Sequence, residues 1–436
     1  MFFFSTFAAQ NKLVMNGYKK RIADTILQRK LEGMGAVLIE GPKWCGKTTT
    51  AEQQARSIVY MDDTMEGTDW IRLAELNPQG VLSGATPRLI DEWQAVPQLW
   101  DAIRFQVDHR QKDAQFILTG SAVPADDEKM RHSGTGRFSW LTMRTMSLWE
   151  SGESNGGVSL GGLFDTPQEL FVPNTLTLDD IAYLVCRGGW PRATLQSRKV
   201  ALGRAFDYFD AIVKKDISRV DGIRRDTERA RRILRSYARH QGTPASISSI
   251  TEDVRVNEDV DEKTVSAYLA ALKKIFVIED MMAWNPNLRS KTAIRTSDNR
   301  YFTDPSIATA ALGLGPDDLM QDLNTFGLFF ETLCVRDLRV YADALDGEVY
   351  HFRDKNGLEC DAVIHLRNSS FGLVEIKLGG ERLIQEGVET LTSLASKIDT
   401  SKMKEPSFLM VLTATGKFAY RRKDGIYVVP VGCLKD

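Results

Sequence analysis

AVLIEGPKWCGKTTTAEQQA, residues 36–55, places a short apolar run directly before a glycine-bounded loop, and a stretch suited to a helix directly after it. The run AVLIE reads as a buried strand. The loop matches G-x-x-x-x-G-K-[ST] at every fixed position, and each fixed position has a physical task. Gly41 and Gly46 let the backbone turn tightly, so that successive N–H groups face inward around phosphate. Lys47 carries a point charge to the outer phosphates, and Thr48 offers a hydroxyl to Mg²⁺. A helix starting near Lys47 adds its N-terminal dipole. Gly41, Pro42, Lys43, Trp44, Cys45, Gly46, Lys47, Thr48 and Thr49 are therefore the candidate nucleotide-binding residues, with ATP and Mg²⁺ as expected ligands.

A strand-loop-helix of this kind needs acids at the same edge of a parallel sheet. PRLIDEWQ, residues 87–94, supplies them: an apolar strand ends in Asp91, placed to hold Mg²⁺, and Glu92, placed to orient or deprotonate water. SIVYMDD, residues 57–63, also ends in acids, Asp62 and Asp63, which read as capping a strand or shaping a loop. QFILTGS, residues 115–121, ends in Thr119 and Ser121, either of which suits a hydrogen bond to water or the terminal phosphate. HSGTGRFSW, residues 132–140, carries Arg137, a candidate arginine finger in cis or toward a neighbouring subunit; the alternative is a solvent-facing side chain.

The chain has 436 residues, 43% hydrophobic and 26% charged, which describes an ordinary globular protein with room for about three domains. A formal charge of −2 excludes global basicity and leaves nucleic-acid contact to a local face. Five scattered cysteines form neither a disulfide framework nor a zinc cluster and fit a reducing cytoplasm. The apolar start MFFFSTFAAQ is too short to span a membrane and reads as a tail, residues 1–16, with Met15 an alternative beginning. No membrane span is expected elsewhere.

GPKWCGKTT, LIDEWQ, FILTGS and SGTGR, with RGGWPRA (187–193) and YFDAIVKKDISRV (208–220), resemble the prokaryotic AAA-type ATPases that carry a C-terminal domain of uncharacterised function. The resemblance covers the chain from about Gly17. It implies catalytic roles for Lys47, Glu92, Thr119 and Arg137, and no settled cellular function.

Residues 151–175, rich in Gly, Ser, Asn and Pro, read as a linker. LDDIAYLVCRGGWP reads as a helix stopped by Gly188, Gly189 and Pro191. Residues 239–300 give a short helix, a loop, a longer amphipathic helix and strand-like residues, the order of a winged helix-turn-helix. Thr264, Ser266, Tyr268, Lys273 and Lys274 are its candidate groove-facing residues, against a reading as a rigid arm or oligomer contact. The basic run 214–235 offers charges to phosphate, but it is interleaved with acids, which favours a solvated helical face.

In the last third, GLFFETLCVRDLRVYA reads as a helix bearing Glu331, followed by the strands ECDAVIHL (359–366) and FGLVEIK (371–377). Strand alternation puts Asp361, Val363 and His365 on one face, and Glu375 with Lys377 on one face. This set resembles the core of PD-(D/E)xK nucleases, with Gly357, Glu359 and Asp361 standing for that family's Gly-x-Glu-x-Asp element. Asp361 and Glu375 are candidate Mg²⁺ ligands with the Ile376 carbonyl, Glu331 completes the acidic cluster, and Lys377 would activate water. His351 and His365 are candidates for extra ligands, against a reading as packing or ordinary hydrogen-bonding residues.

The expected architecture is α/β: a tail (1–16), an AAA-type P-loop ATPase domain (17–160), a linker and helical region (161–238), a winged helix-turn-helix (239–300) and a PD-(D/E)xK nuclease-like domain (301–436). The expected function is Mg²⁺-dependent ATP hydrolysis coupled to a domain that binds or cleaves nucleic acid, in a cytoplasmic protein able to form homo-oligomers. The alternative is a nucleotide-gated protein-interaction or DNA-binding protein whose nuclease-like domain is inactive.

Overall fold

The apolar run at 36–40 is strand β1 (Ala36–Glu40) of a five-stranded parallel sheet in the order β2-β3-β4-β1-β5, with β2 Ser57–Tyr60, β3 Arg88–Asp91, β4 Phe116–Gly120 and β5 Phe138–Thr142. The computed structural model describes residues 17–121, 134–166, 169–256, 258–286 and 296–436. The tail 1–16 with Met15, together with His132 and Ser133, lies outside the described residues. Among the described residues five α-helices accompany this sheet: α1 (Ile22–Gly33), α2 (Lys47–Glu52), α3 (Gly67–Leu76), α4 (Pro78–Leu82) and α5 (Leu99–Arg110). Both faces of the sheet are covered, so β1, β3 and β4 are almost wholly buried and read as continuous apolar runs. Trp93, Trp100, Ile103 and Phe138 fill one side, with the Trp100 ring stacked 3.8 Å from that of Phe138. Asp63 does shape a loop, accepting from the Met65 N–H at 2.7 Å.

The chain divides into two compact units between Met143 and Arg144, earlier than residue 160. The reason is bonding inside the second unit. Arg144 pairs with Glu279 at 2.6 Å and Asp343 at 2.5 Å, the Thr145 hydroxyl donates to Asp304 at 2.6 Å, and the Leu148 N–H donates to Asp337 at 3.0 Å.

The second unit opens with α6 (Leu148–Ser151), β6 (Val158–Ser159), α7 (Leu160–Asp165) and β7 (Phe171–Pro173). The stretch expected to be a linker is therefore built in: β7 pairs with β12 (Phe418–Arg421), and β6 pairs with β14 (Leu434–Lys435). Between them run α8 (Leu178–Arg187), α9 (Arg198–Ala211, continued by a π-helical turn), α10 (Ile217–Arg219), α11 (Thr227–Arg239), α12 (Ile247–Arg255) and α13 (Glu262–Lys274). After α13 the chain forms antiparallel bridges Ile278 to Phe302 and Met281 to Asn299. Three more helices follow, α14 (Pro305–Leu312), α15 (Pro316–Gln321) and the long α16 (Leu323–Ala344).

A seven-stranded sheet completes the unit in the order β7-β12-β13-β11-β10-β9-β8, with β8 Gly347–Arg353, β9 Glu359–Leu366, β10 Phe371–Lys377, β11 Phe408–Thr413 and β13 Tyr427–Pro430. Strands β8, β9 and β10 form an antiparallel meander; α17 (Glu381–Ser396) then crosses to β11, which is parallel to β10. Phe352, Cys360, Val363, Phe371, Leu373, Val388 and Leu391 form the core between this sheet and α17.

One of the motifs carried by the family resemblance, RGGWPRA, meets a buried ion network. Arg336, Asp304 and Asp337 are each no more than 2% exposed. Arg336 reaches Asp337 at 2.7 Å and Asp304 at 3.2 Å. Asp304 also accepts from the Gly189 N–H at 2.9 Å, while Trp190 Nε1 donates to Ser306 at 2.9 Å. A Cβ at Gly189 would lie 2.1 Å from the Met146 carbonyl oxygen, so no other residue fits there. The RGGWP segment is thus a packing device rather than a site, which the buried, hydrogen-bonded charges require.

Candidate nucleotide site and a second acidic cluster

The sheet register brings the first unit's candidate residues together. Asp91 pairs with Thr119, and Ile39 with Thr119, so the ends of β1, β3 and β4 lie side by side where the 41–48 loop leaves β1. Carboxyl ends of parallel strands are where such folds bind ligands. Gly41, at φ 148, passes so close to the Met143 carbonyl that a Cβ would stand 2.1 Å from that oxygen. Gly46 caps α2 at φ 103. Lys47 is 6% exposed, and its ammonium donates to the carbonyls of Gly41 and Pro42, each at 2.8 Å. The cation is thus held across the mouth of its own loop.

The Thr48 hydroxyl donates to Asp91 Oδ1 at 2.8 Å, and the Thr119 hydroxyl donates to the same oxygen. Burial pushes the Asp91 carboxyl up, against the opposing pull of both hydroxyls and of Lys47. Glu92 follows at φ 52, in left-handed backbone. Its carboxylate accepts from Gln94 Nε2 and, at 3.3 Å, from the Ser121 hydroxyl. Burial also raises the Glu92 carboxyl, opposed first by Lys47. Gln94 is a member of this set that the sequence reading did not single out; the only available signal was an amide two residues beyond the acid.

The remaining loop residues divide by exposure. Pro42 and Cys45 are buried, Lys43 and Thr49 half-buried, and Trp44, at φ 66, is exposed. The Cys45 thiol lies 3.4 Å from the Met143 carbonyl. Arg137 is not brought to this loop. Its carbonyl accepts from the Ala36 N–H at the start of β1, the opposite edge of the sheet, and its guanidinium pairs with Asp108 at 2.7 Å. A role in cis does not fit that register.

The second unit gathers Glu331 (on α16), Asp361 (on β9), Glu375 and Lys377 (both on β10). The Lys377 ammonium lies 2.7 Å from Glu375 and 3.5 Å from Asp361. Asp361 Oδ2 accepts from the Ile376 N–H at 2.7 Å, because the β9–β10 ladder ends at Val374 and Ala362 and leaves that amide free of it. Glu331 accepts from the Tyr301 hydroxyl, and burial, then the Asp361 charge, push its carboxyl well above the usual range. Burial followed by Asp361 raises Glu375 to about 8, against Lys377.

Two expectations change here. The alternation is interrupted at Asp361: Tyr350 pairs with Val363 and Phe352 with Cys360, so Asp361 and Ala362 together stand opposite His351 in a register shift. Nor does the cluster make a metal cage. Among the described residues no group of three or more His, Cys, Asp or Glu side chains is placed to hold an ion. Lys377 and the Ile376 amide already occupy the carboxylates, and Tyr301 occupies Glu331. His351 is buried, and its backbone bridges to residues 282 and 284.

The candidate groove-facing residues also divide. Tyr268 is buried with its hydroxyl 2.9 Å from the Asp226 N–H, and Lys273 pairs with Asp280 at 2.7 Å. Thr264 and Ser266 are half-buried, and Lys274 is exposed.

Glu375 carries a stability consequence. A carboxyl raised from 4.5 to about 8 keeps a proton that the unfolded chain releases, so its contribution is full below the lower value and is lost as pH rises through the upper one. Glu375→Gln is therefore expected to melt higher than wild type by about 1–3 kcal/mol at ~pH 9 and to lose that advantage at ~pH 5. Thermal melts in metal-free buffer check this, and equal offsets at both pH values would contradict it.

Comparison with known proteins follows this division of the chain. Residues 34–151 match the AAA domain family, and with the loop and acids above this segment is an AAA-type P-loop ATPase domain. Residues 178–318 and 326–434 match two families described as domains of unknown function, DUF8612 and DUF4143. Uncharacterized proteins of Mycobacterium tuberculosis and Mycobacterium bovis are each 25% identical over 362 residues, 82% of this chain and 74% of theirs. Among solved structures, a Walker-type ATPase of Pyrococcus abyssi aligns at TM-score 0.42 and 14% identity, over 68% of this chain and 96% of its own. A RuvB variant of Thermotoga maritima aligns at TM-score 0.25 and 17% identity, over 59% of this chain and 86% of its own. No helix among the described residues is long and apolar enough to cross a membrane.

Proposed function

We propose that this chain hydrolyses ATP to ADP and phosphate and uses the nucleotide state to control a nucleic-acid-directed second unit. The observation that carries the first half is the convergence of the Thr48 and Thr119 hydroxyls on one carboxylate oxygen of Asp91, beside Glu92 and the enclosed Lys47. A hydroxyl and a carboxylate sharing one position suit a hard cation that keeps waters and takes phosphate oxygens, so Thr48 and Asp91 would hold Mg²⁺. When bound, that ion neutralises the charge developing on the phosphates. Lys47 leaves its two carbonyls for the phosphate oxygens, the loop N–H groups bind and orient them, and Glu92 accepts a proton from water once Gln94 and Ser121 release it. Arg137, held by Asp108 away from its own loop, would act toward a neighbouring subunit.

For the second unit, helices α12 and α13 with the bridges after them fit a winged helix, and α16-β8-β9-β10-α17-β11 with Asp361, Glu375 and Lys377 fits a PD-(D/E)xK nuclease-like core. Among the described residues the acidic cluster is not disposed as a metal cage. The locked Lys377 favours a second reading, in which this core binds a nucleic acid or protein without cutting it. The test is cleavage of single- and double-stranded DNA and RNA with Mg²⁺, with and without ATP. On the nuclease reading, Asp361→Ala lowers cleavage by at least ~10²-fold and leaves ATP turnover intact. ATP turnover with no cleavage of any substrate would leave the binding reading standing instead.

A further inference from the structure

The AAA match begins at residue 34 and the nucleotide loop at Gly41, yet residues ahead of both are bonded to that loop. Arg21, only 4% exposed, donates from Nη1 to the Cys45 carbonyl at 2.8 Å. The Arg21 N–H donates to Asp24 Oδ2 at 2.8 Å, and the Tyr18 hydroxyl donates to Asp24 Oδ1 at 2.6 Å. The Tyr18 hydroxyl also lies 3.1 Å from the Thr50 hydroxyl of α2, and Gln54 Nε2 donates to the Asp24 carbonyl at 2.7 Å. Residues 18–24 are thus fastened both to the loop and to the helix that follows it.

The consequence lies in one peptide unit. In a planar trans peptide the C=O and the N–H point in opposite directions. A guanidinium gripping the Cys45 carbonyl from outside therefore sets the direction of the Gly46 N–H, one of the donors with which such a loop encloses phosphate. Planar, always charged and forked, guanidinium suits a buried grip of this kind better than an ammonium does.

We propose that Arg21 is a positioning residue for nucleotide binding, holding the Cys45–Gly46 peptide in its phosphate-ready orientation before the ligand arrives. This rests on the reading of 41–48 as the nucleotide loop. Ordering a loop in advance removes part of the ordering cost of binding. Bound phosphates then hold the same N–H groups themselves, so the loss of Arg21 falls on affinity rather than on the chemical step.

Steady-state hydrolysis, equilibrium binding of ATP and ADP, and thermal melts of the full chain test this together. Arg21→Ala and Arg21→Gln are expected to raise KM and Kd by ~10–100-fold, the range for a lost charged hydrogen bond, with kcat within ~3-fold of wild type. Arg21→Lys is expected to recover most of the affinity, since an ammonium still donates one charged bond. Wild-type KM in both neutral variants would overturn the proposal. So would KM and kcat changing together with the melting temperature and without recovery in Arg21→Lys. Should Arg21→Ala not fold, the comparison of Arg21→Gln with Arg21→Lys decides by the same criterion. Lys47→Ala separates the two readings: undiminished ATP binding there overturns the loop assignment itself, whereas its loss alongside wild-type affinity in Arg21→Gln overturns only the role of Arg21.

Discussion

Glu92→Gln is expected to lower kcat for ATP hydrolysis by ~10²–10⁴-fold, the usual contribution of a positioned base, while ATP stays bound. Glutamine keeps the size of the side chain and an acceptor for Gln94 and Ser121 but cannot take a proton from water. Lys47→Ala should fail one step earlier. Removing the enclosed cation strips a charged contact from the outer phosphates, expected to weaken ATP binding by ~10–100-fold. Nucleotide binding measured beside turnover distinguishes the two, because the first variant binds without turning over and the second hardly binds. Equal losses of binding in both variants would remove Glu92 from the chemical step.

Gly189→Ala should be the most damaging single methyl addition tested in the second unit. Its Cβ would meet the Met146 carbonyl oxygen at 2.1 Å and the Arg336 guanidinium at 2.8 Å, so backbone or a buried charge network has to move. A loss of ~3 kcal/mol or more is expected, with a melting shift on the order of 5–10 °C. Gly203→Ala, on α9, is the control: nothing lies within 4 Å of its added Cβ, and a helix-interior glycine replaced by alanine gains stability. Matching melts for the two variants would mean that the packing around Gly189 yields easily.

The nucleotide loop and its acids were legible because their information is local: eight consecutive residues fix the turn, and an apolar run fixes which end of a strand bears Asp91. The sheet order is not local, and it decided Arg137. Only the pairing of β5 with β1 shows that this arginine sits at the edge away from the loop. Alternation failed at Asp361 for a different reason. One extra residue in β9, opposite His351, breaks the alternation, and an extra residue leaves no mark in a sequence of ordinary strand formers. Tyr268 read as available because its helix is amphipathic, yet its hydroxyl turns back to the Asp226 amide. The 151–175 stretch looked like a linker because its strand, β7, finds its partner near residue 419, a pairing that composition cannot reveal.

The bonds made by residues 144–150 bear on where this protein can be divided. The AAA match runs to residue 151, but Arg144, Thr145 and Leu148 satisfy Glu279, Asp343, Asp304 and Asp337 in the second unit. A fragment cut at 151 would carry those donors away with the ATPase domain and leave four carboxylates without them, of which Asp304 and Asp337 are buried, a deficit that removal of a single partner already makes severe. The point at which sequence similarity stops and the point at which the molecule comes apart are different places in this chain, and the second lies at Met143.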